Sequence, residues 1–133
     1  VYPYRGPRFT VGYAPSNAFW TGRAIAVHAA GPPHNILHEF GHYLAANPDE
    51  RWEINFGIRG GKRAEKCEIA ACHMQFCLQI AIGEPPRRVE RLAGEWNFQE
   101  PLAELQRAGW RHLRRHEITP DVVARVIGPE WPR

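Results

Sequence analysis

The chain has 133 residues, with 44% hydrophobic and 23% charged side chains and a formal net charge of +3. That size suits a single domain with one modest core, and the composition is an ordinary globular balance. No apolar run approaches the roughly 20 residues needed to cross a membrane, and no basic-then-apolar leader with a small-residue cleavage site is read.

Residues 1–22 are rich in Pro, Gly and aromatics, and Phe9, Val11 and Tyr13 alternate as in a short strand. Residues 14–17 read as a turn, and residues 23–29 as a second strand broken by Gly31-Pro32-Pro33. A helix is predicted from His34 to Ala46, stopped by Asn47-Pro48-Asp49. Residues 52–58 suit a strand, with Gly60-Gly61 as a loop after it. A second helix is predicted from Ala64 to Ile82, ending at Gly83 before Pro85-Pro86. Residues 87–98 are ambiguous. A third helix is expected from Glu100 to Arg115, and Thr119-Pro120-Asp121 reads as the start of a short one, with Thr as N-cap and Pro first inside. The expected architecture is one α+β domain over 1–133, with a small N-terminal sheet followed by helices.

Much of the positive charge sits in the C-terminal half, in Arg87, Arg88, Arg91, Arg107, Arg111, Arg114 and Arg115. It reads as a solvated helix face; no nucleic-acid motif accompanies it, so neither nucleic acid nor membrane is expected as a partner. Cys67, Cys72 and Cys77 are odd in number and five residues apart. On a helix such positions project about 140° apart, which argues against a disulfide framework and for a reducing cytoplasm.

Residues 38–42 read His-Glu-Phe-Gly-His. This is the H-E-x-x-H pattern, in which two His at i and i+4 share one helix face and both imidazoles can reach one ion at about 2 Å. Glu39 stands beside them, where it can take a proton from water. With Ile36 at 0° on a helical wheel, Phe40, Leu44, Leu37 and Tyr43 fall at about 40°, 80°, 100° and 340°. They form one apolar stripe, while His38 and His42 fall at about 200° and 240°, away from it. Gly41 and Ala45 are small enough to let a neighbour approach. His34 lies too far along the helix for one tetrahedral ion to take it together with His42, since the rise between them is about 12 Å.

A catalytic zinc usually has three protein ligands and one open position. The second helix offers Glu65 and Glu68. Measured from Glu65, the residues Glu68, Cys72, Gln75 and Gln79 fall between about 280° and 340°, a polar seam on a helix that is otherwise apolar nearly all round. Buried polar groups need partners, and a metal at the Glu end supplies one. Glu68, a turn deeper than Glu65, is the preferred third ligand. Glu65 is the alternative or a supporting partner, and Cys72 is read as a small core residue.

The segment His38-Glu39-Phe40-Gly41-His42 resembles the motif of the zincin superfamily of metallopeptidases. The resemblance implies a zincin-like fold and, in the glutamate-ligand branch, a third ligand from a following helix, as Glu68 would be. A longer stretch, residues 25–98, is similar in layout to the elongation factor P hydroxylase family. There an H-E-x-x-H helix is followed by an F-G segment (Phe56-Gly57), a helix with two Glu three apart (Glu65 and Glu68) and an ending like Ile80-Ala81-Ile82-Gly83. That likeness implies two His and one carboxylate, a set that suits iron(II) as well as zinc.

Three functions follow as expectations. The first is a zinc hydrolase acting on a peptide or protein, with His38, His42 and Glu68 as ligands and Glu39 as base. An edge strand within 23–29 would pair with the extended substrate, and Tyr43, His28, His34 or His73 would stabilise the oxyanion. The second is an iron(II) hydroxylase using the same ligands. The third is a non-catalytic binding module in which the metal is structural or lost.

Overall fold

A computed structural model describes residues 8–11, 18–20, 24–27, 34–46, 48–50 and 62–127. Three short strands, β1 (Arg8–Val11), β2 (Ala18–Trp20) and β3 (Ala24–Val27), pair in the order β1-β3-β2. Helices account for most of the rest: α1 (His34–Ala45), α2 (Lys62–Ala81), α3 (Pro86–Glu95), α4 (Leu102–Arg115) and α5 (Pro120–Val122), which runs on into a π-helical turn over Val123–Ile127. The described residues are thus mostly helical, and the expected α+β class is corrected to a mainly helical architecture. Two things shift the balance. The ambiguous stretch 87–98 is largely helix α3, and the strand expected over 52–58 lies outside the described residues. The expected edge strand within 23–29 is also corrected. β3 pairs in parallel with β1 on one side and antiparallel with β2 on the other, so its backbone has no free edge for a peptide.

α1 buries Ile36, Leu37, Phe40 and Leu44, the stripe that the wheel predicts. These side chains meet Met74, Cys77 and Leu78 of α2, Leu113 of α4, and Ile118 and Val123 beyond it in one core. A smaller cluster joins Cys72 and Phe76 of α2 to Val89 and Ala93 of α3 and Leu105 of α4. α2 is therefore the central element, and from Ala71 to Gln79 every residue except His73 is buried. That burial is what its all-round apolar character implies.

Glycines set how closely the helices approach α2. A Cβ placed on Gly41 of α1 would lie 2.8 Å from the Ala71 carbonyl oxygen and 3.0 Å from the Ala71 Cα. A Cβ on Gly109 of α4 would fall inside van der Waals contact of the His73 carbonyl and 2.5 Å from Cys77 Sγ. Backbone thus touches backbone on both sides of α2.

The helix ends follow local chemistry. Thr119 Oγ1 accepts the Val122 N–H, and Pro120 opens α5, as the sequence predicts. α2, α3 and α4 close through left-handed residues: Gly83 at φ 108°, Asn97 at φ 65° and Glu117 at φ 59°. Each is followed by a residue whose N–H reaches back to a carbonyl of the last turn, as in Glu84 to Gln79, Phe98 to Ala93 and Ile118 to Leu113. Arg87, Arg88, Arg91, Arg107, Arg111, Arg114 and Arg115 are all exposed. Among the described residues, no helix is long and apolar enough to cross a membrane.

Candidate metal centre

The Pro32-Pro33 pair precedes α1, so the helix begins at His34 and its second turn carries His38 and its third His42. The Gly41 contact holds this part of α1 against Ala71, one turn on from Glu68 in α2. The three expected ligands meet there. His38 Nε2 lies 2.9 Å from Glu68 Oε1, and His42 Nε2 lies 2.8 Å from Glu68 Oε2. The two Nε2 atoms are 3.1 Å apart, with the rings edge-to-face. Ligand atoms that each lie about 2.0–2.1 Å from a tetrahedral ion are separated by about 3.3 Å. The observed spacings fall a few tenths of an ångström short of that, so this donor set fits a single divalent cation after a slight opening. A group of two His and one carboxylate, all within 4.8 Å of one another, could hold a metal ion; the donors do not fix which metal, since zinc and iron(II) both accept them.

Burial differs across the group. His42 is 7% exposed, whereas the Glu68 side chain is 54% exposed. The wheel places His42 away from the α1 core stripe, yet it is buried, with Glu68 of α2 against its Nε2. The open side at Glu68 gives solvent access to the centre.

The three side chains shift one another's charge states. Burial opposes a charge on His38, but hydrogen bonding to Cys72 and Glu68 outweighs it and lifts the pKa to about 10. The same contacts from His38 and His42 hold the Glu68 carboxyl well below the usual range, against its partial burial. A divalent cation would take over the positive charge that the histidines otherwise supply. Burial pushes the Glu39 carboxyl up; His42 and His38 pull it down, and Glu68 adds to the rise. Glu39 Oε2 is buried and has no hydrogen-bond partner among the described residues. A buried carboxyl oxygen left without a partner is costly, which is consistent with its raised proton affinity.

Other expected residues take up different places. Glu65 is exposed and stands outside the cluster. His34 meets the edge of the Trp96 ring at 5.8 Å, and burial lowers its pKa. His73 packs on Phe98 and feels Glu100 and His112, which places it towards α4. Tyr43 packs against the main core. His28 lies outside the described residues, as do Phe56 and Gly57. Cys67, Cys72 and Cys77 are free thiols.

No protein-family model, curated protein or solved structure matches this chain.

Two contributors were not assigned roles from sequence. Trp96, just past α3, packs edge-to-face with His38 and His34, with ring centroids 6.0 Å and 5.8 Å away. Gln75 accepts from His38 Nδ1 at 2.8 Å. Gln75 belongs to the polar seam of α2 that the helical wheel shows; Trp96 caps α3, in the stretch 87–98 that the sequence leaves ambiguous.

Proposed function

We propose that the chain is a metal-dependent hydrolase, most simply a zinc peptidase, in which His38, His42 and Glu68 hold the ion and Glu39 is the general base. The observation that carries this reading is the buried Glu39 Oε2, without a hydrogen-bond partner among the described residues and electrostatically coupled to the three converging side chains. A bound ion would supply the positive charge that acidifies water and polarises a carbonyl. Glu39 would take the proton from the attacking water and pass it to the leaving group. Its raised proton affinity suits that exchange, because a base that titrates nearer neutrality both accepts and returns a proton. The half-exposed Glu68 side leaves room for substrate to enter. The choice of a peptide or protein substrate rests on the resemblance of residues 38–42 to the zincin motif.

The same ligand set would serve an iron(II) hydroxylase, the reading that the likeness to the elongation factor P hydroxylase family implies. Glu39 favours hydrolysis, since hydroxylation gives that carboxylate no task. Metal analysis of protein purified without added metal, with peptide cleavage followed in parallel, tests the proposal. Zinc, with cleavage lost in Glu39→Gln while metal is retained, is the expected result. Iron with oxygen uptake would overturn it in favour of hydroxylation. Protein that takes up no metal would overturn both enzymes in favour of a binding module.

A further inference from the structure

The polar seam of α2 continues past the three ligands as a single chain of hydrogen bonds. His38 Nδ1 lies 2.8 Å from Gln75 Oε1, Gln75 Nε2 donates to Gln79 Oε1 at 2.9 Å, and Gln79 Nε2 donates to Glu84 Oε2 at 2.7 Å. Gln75 and Gln79 are 0% and 1% exposed. Neither amide can exchange its partner for water without a desolvation cost. Glu84 reaches the end of this chain because of the left-handed turn at Gly83. There the Glu84 N–H bonds the Gln79 carbonyl at 2.9 Å, which sets the residue directly beyond the helix end.

The chemistry of the end groups gives the chain one direction. A carboxylate only accepts, so Gln79 turns its NH2 to Glu84 and its carbonyl to Gln75. Gln75 must then donate to Gln79, which leaves its own carbonyl for His38. A carbonyl also only accepts, so His38 Nδ1 carries a proton and Nε2 is the nitrogen that faces His42 and Glu68.

We infer that Glu84 is a positioning residue for the metal centre: acting through Gln79 and Gln75, it dictates which nitrogen of His38 is offered to the ion. This rests on the metal reading proposed above. Metal-ligating imidazoles generally donate their other N–H to a fixed acceptor, and loss of that acceptor weakens metal binding by roughly 10–100-fold.

The test uses the full chain and three variants, Gln75→Leu, Glu84→Lys and Glu84→Gln. Zinc affinity is measured by competition with a chromophoric chelator, and hydrogen exchange of the His38 Nδ1–H by NMR on histidine labelled with nitrogen-15. A lysine at 84 can only donate, so the amides reverse and present an NH2 to His38. Glu84→Lys and Gln75→Leu are expected to weaken zinc binding by about 10–100-fold and to lose the protected Nδ1–H. Glu84→Gln still offers an acceptor oxygen and should stay close to wild type in both. Wild-type affinity together with a protected Nδ1–H in folded Glu84→Lys would overturn the inference. Should Gln75→Leu fail to fold, Glu84→Lys decides alone, because Glu84 is only half-buried. Should the wild type bind no metal, the metal reading falls, yet the relay is still judged on metal-free protein. Loss of the protected proton in Glu84→Lys then upholds it, and persistence refutes it.

Discussion

Gly41→Ala separates two effects of opposite sign. Alanine is the better helix former by about 1 kcal/mol, so propensity alone predicts a stabler protein. The new methyl would meet the Ala71 carbonyl oxygen at 2.8 Å and its Cα at 3.0 Å, where ordinary contact begins at 3.4 Å. Neither atom can rotate away, since both are backbone within a helix. α1 and α2 must separate by about half an ångström, and overpacking of that kind costs about 1–3 kcal/mol. The net expectation is a loss of about 1 kcal/mol, the middle of a range of about 0–2 kcal/mol, or roughly 3–5 °C in Tm for a domain of this size. Gly94→Ala in α3 is the matched control, because nothing lies within 4 Å of a Cβ there. It should raise the Tm through propensity alone. Thermal unfolding of the metal-free proteins, followed by circular dichroism, reads both. A Gly41→Ala Tm equal to or above that of wild type would refute the close α1–α2 contact and the placement of Glu68 that depends on it.

Further outcomes follow from particular residues. Glu68→Ala should abolish stoichiometric metal in elemental analysis while Glu65→Ala retains it, since only Glu68 contacts both histidines. Glu117 sits at φ 59° without a glycine's freedom, so Glu117→Gly should raise stability by about 1 kcal/mol in denaturant unfolding. Burial pushes the Cys77 thiol up to about 12. In native protein at mildly alkaline pH a thiol reagent should therefore modify the half-buried Cys67 first and leave Cys77 until unfolding.

The sequence made α1 and the ligand end of α2 legible because both depend on periodicity within one helix. Ile36, Leu37, Phe40 and Leu44 fall on one stripe and are buried on one stripe. Glu68 follows from its place on the α2 seam, and the helix bounds differ from the expected ones by a residue or two. Other features depend on what comes from elsewhere. His42 is buried although it lies off the α1 stripe, because neighbouring elements pack on that face, which a wheel drawn for α1 alone cannot register. The seam of Gln75 and Gln79 was read as needing partners, but its last partner, Glu84, lies past the turn at Gly83, where helical periodicity no longer applies. Val89, Leu92, Ala93 and Trp96 do carry a helical spacing. Arg and Glu surround so few apolar positions that this spacing is faint, and both the mainly helical class and the place of Trp96 depend on it.

The two glycine contacts on α2 have an implication for how this protein can change. Because main chain rests on main chain at Ala71 and His73, the spacing of α1, α2 and α4 owes little to the identity of outward-facing side chains. The Arg-bearing surface of α4 thus lies away from the backbone contact that sets the spacing of α4 from α2. Sequence drift on that surface could redirect what the protein associates with while leaving the arrangement of His38, His42 and Glu68 intact. Drift at position 41 or 109, by contrast, would be transmitted to it at once.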